Sequence, residues 1–195
     1  ALQYAVKEDY EFNIPLLNKM DFKNKRVVLL TSHRRENIGR PMENIFSAIN
    51  DITLKYEDVE VVFPIHLNPK VREIAYRVFE GNDRIHLIEP LDYEPFTNLM
   101  ARVHMVVTDS GGLQEEAPSL GKPVLVIREE TERPEGIEAG TARLVGTSYE
   151  GVYKEMDLLL SNKEEYDKMA NAVNPYGDGK ASERIVDIIL KHGKN

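Results

Sequence analysis

Six short apolar runs, each ending in polar residues and most followed by a segment of helical periodicity, constrain this chain more than any other feature. They are Arg26–Ser32, Val59–Ile65, Ile85–Ile88, Met105–Thr108, Val124–Ile127 and Ala142–Val145, all rich in Val, Ile and Leu. Runs this short and this rich in β-branched and apolar residues fit the strands of a sheet covered by helices. Between them Met42, Ile45, Phe46, Ile49 and Ile52 follow Gly39-Arg40-Pro41 at helical spacing. Val71, Ile74, Ala75, Val78 and Phe79 do the same ahead of Gly81-Asn82, as do Phe96, Leu99, Met100 and Val103. Pro41 suits a first helical turn, and Gly121-Lys122-Pro123 stops the helix that follows Gly111-Gly112. Strand and helix alternate through connections of a few residues. The expectation is an α/β chain, a Rossmann-like parallel sheet with helices on both faces.

Beyond Tyr149 the character turns helical, with Val152, Met156, Leu159 and Leu160 on one face. NPYGDG (174–179) then breaks the chain before a last helix carrying Ala181, Ile185, Ile188 and Ile189. The first residues, ending in NIPLLNKM, read as a lead-in without strand pattern. Three stretches are therefore expected: a lead-in or interlobe segment over 1–22, the sheet-bearing lobe over 23–173, and a C-terminal helix over 174–195.

At 195 residues the chain is long enough for one substantial domain or one half of a two-lobed enzyme. It has no cysteine, which removes disulfides and thiolate metal sites. A reducing cytosol is the default location. The net charge of −8 argues against a general nucleic-acid binder. The absence of a long apolar run argues against a membrane span. The acidic, mixed start ALQYAVKEDYEF does not resemble a signal peptide and lacks an initiator Met, so a piece of a longer chain is expected. No ligand-spaced cluster supports a metal, and no cofactor is expected.

In open α/β sheets ligands bind beyond the carboxyl ends of the strands, so the residues after each run carry the functional information. TSHRREN (Thr31–Asn37) concentrates an imidazole, two guanidiniums and an acid there. That set suits an anion and charge stabilisation, or else a solvated loop with a surface ion pair. His66 in HLNP either touches a ligand or caps the helix beginning at Pro69, and the cap is favoured. After the central strand come Asp109-Ser110-Gly111-Gly112. Glycines let backbone approach a ligand, free amides opening a helix attract a pyrophosphate, and a carboxylate one turn further in can accept both hydroxyls of a ribose. The plainer account makes Asp109 or Ser110 a helix cap and Glu115 and Glu116 partners of the helix dipole. REETERPEG (Arg128–Gly136) either closes over an anion through Arg128 or Arg133 or stays solvated. All four loops belong to one edge of the expected sheet. His86 and His104 read as structural residues beside strands, and His192 as part of a frayed tail.

Together these stretches resemble the non-hydrolysing UDP-N-acetylglucosamine 2-epimerases. The resemblance rests on TSHRREN (31–37), FPIHLNPKVRE (63–73), TDSGGLQEEAPSLGKPVLV (108–126), ETERPEG (130–136), AGTARLVG (139–146) and NPYGDGKASERI (174–185), in family order and over most of the chain from residue 27. It implies one lobe, the C-terminal one, of a two-lobed fold of glycosyltransferase-B type, with the active site between lobes. The last helix would pack back toward the other lobe. The implied reaction interconverts UDP-N-acetylglucosamine and UDP-N-acetylmannosamine by anti elimination of UDP to a 2-acetamidoglucal and re-addition. The carboxylates handling the carbon-2 proton belong to the N-terminal lobe, so this chain alone is expected to be inactive.

Position by position, the resemblance makes His33 the essential histidine near the diphosphate, stabilising charge on the leaving UDP. It makes Ser110, Gly111 and Gly112 the phosphate turn, Glu116 the ribose acid, and Glu115 only a dipole-complementing acid. It puts Leu91 (backbone) and Phe96 (ring) beside the uracil, and Arg133 on the diphosphate side. Arg34 and His66 match contacts to a second UDP-N-acetylglucosamine, an allosteric activator in bacterial members, whose site also needs N-terminal-lobe residues. A cytoplasmic, homodimeric full-length enzyme of cell-envelope polysaccharide biosynthesis is implied. Two other classes fit the same turn and acid: a stand-alone module binding UDP-sugars, and a lobe of a UDP-sugar glycosyltransferase.

Overall fold

Val27 to Leu30 are buried without exception, which suits extended backbone sandwiched between two helical layers. The computed structural model describes residues 2–177 and 179–192. Ala1, Asp178 of the NPYGDG break and the expected tail residues 193–195 fall outside them. Six strands form one sheet: β1 (Arg26–Thr31), β2 (Val59–Pro64), β3 (Ile85–Ile88), β4 (Met105–Thr108), β5 (Val124–Val126) and β6 (Ala142–Leu144). Their order is β3-β2-β1-β4-β5-β6 and every pairing is parallel. The chain winds outward from β1 to β3, returns to lay β4 beside β1, and winds outward again. This is the doubly wound arrangement, whose ligand crevice opens at the β1/β4 switch.

Ten α-helices occur among the described residues: α1 (Leu2–Ala5), α2 (Pro15–Lys19), α3 (Arg40–Lys55), α4 (Pro69–Val78), α5 (Tyr93–Arg102), α6 (Gly111–Glu116), α7 (Pro134–Glu138), α8 (Tyr149–Ser161), α9 (Lys163–Ala170) and α10 (Ala181–His192). Alternation along each strand divides the core in two. Val28, Leu30, Val61, Phe63, Val107 and Leu125 meet α3, α4 and α8 on one face. Val27, Leu29, Val62, Val106 and Val124 meet α2, α5 and α6 on the other. Phe46 of α3 sits at the first interface with its ring 5.5 Å from Phe63 and 5.0 Å from Phe79. Truncating a side chain so placed costs about 3–5 kcal/mol.

The expected strands and the principal helices are present, with ends shifted by a few residues. The lead-in contributes to the core, since Phe12 and Leu17 are buried in the second cluster. Two helices have no apolar stripe to announce them. α7 lies inside the charged stretch expected as loop and buries only Gly136, and α9 buries only Met169. No residue of α10 is buried, although Ile185, Val186, Ile188, Ile189 and Leu190 are its apolar set. No helix among the described residues is long and apolar enough to cross a membrane.

Candidate functional site

Thr31 and Thr108 are register partners at the ends of β1 and β4, and their hydroxyls lie 2.6 Å apart. The two chains then diverge into TSHRREN and DSGG, with Asp109 between them. Its carboxylate is fully buried. Oδ2 accepts the backbone amides of His33 (2.8 Å) and Arg34 (2.9 Å), the Asn37 amide (3.3 Å) and the Ser32 hydroxyl (3.3 Å). Arg34 Nε donates to the Asp109 carbonyl at 3.2 Å, and Asn37 also donates to the Ile127 carbonyl at 3.1 Å. One buried carboxylate thus organises the whole loop after β1.

His33 Nδ1 lies 3.0 Å from Asp109 Oδ1, an ion-pair contact, and Oδ1 accepts no aligned hydrogen bond from any of the described residues. The facing carboxylate raises the His33 pKa above its usual range, against the opposing effects of partial burial and the Arg34 charge. For Asp109, burial disfavours the charge, but the His33 and Arg34 contacts outweigh it and hold the carboxyl below the ordinary range. The His33 ring stacks on His66 with centroids 5.9 Å apart.

A concavity of about 260 Å³ opens here, lined by Thr31, Ser32, His33, Pro64, His66, Pro90, Phe96, Ser110 and Leu113. It draws on the ends of β1 and β2 and the residues after β3 and β4. Four of the expected site residues (His33, His66, Phe96 and Ser110) therefore share one cavity wall. Leu91, beyond β3, packs against the edge of the second core cluster, as Phe96 does. Gly111 and Gly112 open α6, and Ser110 makes no side-chain cap, so their amides are left without a side-chain acceptor. Glu116 ends α6, half-buried; burial first and the neighbouring Glu115 charge second raise its pKa. Leu91, Gly111, Gly112, Glu116, Arg34 and Arg133 are not among the residues lining this concavity.

Three expectations need correction. The first turn of α6 carries no acid, so Glu115 and Glu116 do not serve its dipole; Glu115 is ion-paired with Arg133 Nε instead. Neither Asp109 nor Ser110 caps α6, because the Asp109 side chain points back into the β1 loop. His66 does not cap α4; Asn68 does, accepting the Lys70 amide at 3.0 Å, while His66 Nδ1 accepts the Asn68 amide at 3.1 Å.

Arg128 is forked onto Glu132, at 2.5 and 3.0 Å, with Glu36 at 3.6 Å. It lies in a separate concavity of about 350 Å³ with Glu36, Asn37, Pro41, Glu129, Glu130 and Thr147. The loop bearing Arg133 is held by Thr131, which donates to Gln114 at 2.6 Å, and by Tyr176, whose hydroxyl accepts the Gly136 amide at 3.0 Å. Among the described residues no group of three or more His, Cys, Asp or Glu is placed to hold a metal ion. His86 pairs with Glu60 at 2.9 Å, and His104 stacks on Tyr166 at 4.1 Å.

Residues 2–190 match the sequence family described as UDP-N-acetylglucosamine 2-epimerase. The chain is 54% identical over 192 residues to the Bacillus subtilis UDP-N-acetylglucosamine 2-epimerase, covering 98% of this chain and 50% of that protein. Among solved structures it superposes on the S. aureus MnaA–UDP co-structure with a TM-score of 0.90 at 48% identity, over 98% of this chain and 51% of the other. It also superposes on the Neisseria meningitidis UDP-GlcNAc 2-epimerase bound to UDP-GlcNAc with a TM-score of 0.84 at 46% identity, over 91% and 48% respectively. The chain thus spans about half the length of the relatives it matches.

Proposed function

Because this chain belongs to the UDP-N-acetylglucosamine 2-epimerase family, we propose that it is the C-terminal, UDP-binding half of such an enzyme. In this reading residues 23–173 form the nucleotide-binding lobe, and 1–22 lead in from the other half. α10 leaves the lobe to lay its exposed apolar face on that half. The observation that carries the reading is the convergence of His33, His66, Phe96 and Ser110 on one concavity at the β1/β4 switch. Relatives solved with UDP and with UDP-GlcNAc support the ligand class.

Phe96 and the Leu91 backbone flank the uracil, and Glu116 accepts the ribose hydroxyls. The uncapped amides of Gly111 and Gly112, with the Ser110 hydroxyl, hold the diphosphate. Arg133 reaches the diphosphate by exchanging Glu115 for a phosphate oxygen. Elimination breaks the carbon-1 to oxygen bond of the UDP-sugar and puts charge on the departing β-phosphate. His33, held toward its cationic form by Asp109, stabilises that charge. The carbon-2 proton is handled by carboxylates of the other half, so this chain alone binds without turning over. Arg34 and His66 contribute to an activator site for a second UDP-N-acetylglucosamine that is completed by that half. The full-length protein works as a cytoplasmic homodimer.

Calorimetry with UDP and with UMP on this chain tests the reading: UDP binds with micromolar-range affinity and UMP much more weakly, having lost the β-phosphate contacts. A folded sample giving no UDP-specific heat overturns it. In the full-length protein, His33→Ala depresses turnover; turnover near the parent's removes the leaving-group role.

A further inference from the structure

We infer that Asp109 is a positioning residue for His33: it fixes the proton on Nδ1, so that Nε2 is the nitrogen presented to the ligand cavity. The inference rests on the UDP-binding reading for its purpose, but its geometry stands without it. The two Asp109 oxygens are used differently. Oδ2 gathers all four donors from the β1 loop, two of them backbone amides. Oδ1 lies 3.0 Å from His33 Nδ1 as an ion-pair contact and accepts no aligned hydrogen bond from any of the described residues, so His33 Nδ1 is the nitrogen placed to supply the proton it lacks. A fully buried carboxylate oxygen without a donor is costly. The arrangement is therefore stable only when Nδ1 carries a proton, whether the ring is neutral or cationic. Nε2 makes no hydrogen bond to the described residues, and the ring borders the concavity shared with His66 and Ser110. Charged or titratable groups around the ring are Asp109, Arg34 and Glu36, with His66 stacked on it. Of these, only Asp109 touches a ring nitrogen.

The same carboxylate holds both the peptide that carries His33 and the ring itself. Loop position and tautomer are thereby set by one side chain, anchored on β4 beside the glycine turn. An imidazole with its outer nitrogen free can donate to a developing phosphate anion when protonated and accept the proton back on re-addition. With the tautomer reversed, the neutral ring would present a donor where the reverse step needs an acceptor.

Asp109→Asn is the test, read by nitrogen-15 NMR of His33 in this chain without nucleotide. In the variant the amide oxygen keeps the two backbone amides and its NH2 group faces Nδ1, forcing the proton to Nε2. The expected result is Nδ1–H neutral histidine in the parent and Nε2–H in the variant, with the His33 midpoint lowered because the facing charge is gone. An unchanged tautomer and midpoint in a folded Asp109→Asn chain overturns the inference. Should the variant not fold, the parent decides alone: a neutral His33 found as the Nε2–H form refutes it. A purely structural Asp109 would loosen the loop but not reverse the tautomer. No arm uses UDP, so failure of the nucleotide reading in calorimetry and failure of this inference are separate events.

Discussion

Gly112→Ala separates what the fold requires from what a ligand requires. Neither Gly111 nor Gly112 has a positive φ. A Cβ on Gly112 would meet only Ser110 Oγ, at 3.9 Å, and one on Gly111 would meet nothing within 4 Å. The unliganded fold therefore has no steric or conformational need for either glycine. Both sit in the first turn of α6, where alanine restricts the unfolded chain and raises stability by roughly 0.5–1 kcal/mol. The effect on a diphosphate has the opposite sign. An oxygen accepting the Gly112 amide stands about 2.9 Å from the nitrogen, and a diphosphate that approaches so closely packs its remaining oxygens against the glycine Cα, where a methyl group would hold it off. Withdrawal of the phosphate sacrifices at least one charge-assisted hydrogen bond, roughly 1.5–3 kcal/mol, which is about a 10- to 100-fold loss of affinity. Urea unfolding and UDP calorimetry on the same preparation read both quantities. A variant that binds UDP like the parent refutes the argument that these glycines admit the diphosphate. One destabilised by more than about 1 kcal/mol would expose a folding role that the geometry does not contain.

Four further outcomes follow from particular contacts. Glu116→Gln weakens UDP binding about 10-fold but leaves 2′,3′-dideoxy-UDP unaffected; equal losses for both ligands would remove the ribose role. Burial holds His104 neutral down to about 4, against an ordinary 6.5; the unfolded state binds the extra proton between those values, so this residue withdraws about 2 kcal/mol of stability from pH 7 to 5. His104→Phe, which retains the stack on Tyr166, flattens that part of the pH dependence in denaturant titrations, and parallel curves for the two proteins would contradict it. Gly136→Ala brings a methyl within 2.9 Å of the Tyr176 hydroxyl, costing about 1–3 kcal/mol, and thermal unfolding unchanged from the parent would show that this latch yields freely. Ile185→Ser with Ile189→Ser leaves the unfolding free energy of this chain within about 0.5 kcal/mol, because α10 buries nothing on the lobe; a larger loss would mean that the helix packs here.

The sheet was legible because the central strands β1, β4 and β5 are covered on both faces and read as apolar runs that a doubly wound layer buries, while Glu60, His86 and Arg143 interrupt the outer strands without hiding them. α7 and α9 were not, because each buries a single residue and is held by polar contacts from distant positions, Tyr176 on the Gly136 amide and Tyr166 on the His104 carbonyl, leaving no periodic apolar trace. At the site, the sequence reveals which residues stand at strand ends but not which of them pair. Asp109 followed by Ser-Gly-Gly has the local pattern of a helix cap, and only the parallel register of β1 with β4 brings it against residues 72–77 positions earlier. Glu115 likewise has the local pattern of a dipole partner, while the guanidinium that claims it lies 18 residues away, across the loop after β5. Both misreadings come from judging a carboxylate by its neighbours in sequence. In a doubly wound sheet adjacent strand-end loops come from distant parts of the chain, so acids at those ends are assigned by strand order. With the order β3-β2-β1-β4-β5-β6 the β1 and β4 loops become neighbours, and the Thr31–Thr108 register sets Asp109 level with Ser32, one residue short of His33; the order was the signal that the sequence did not itself carry.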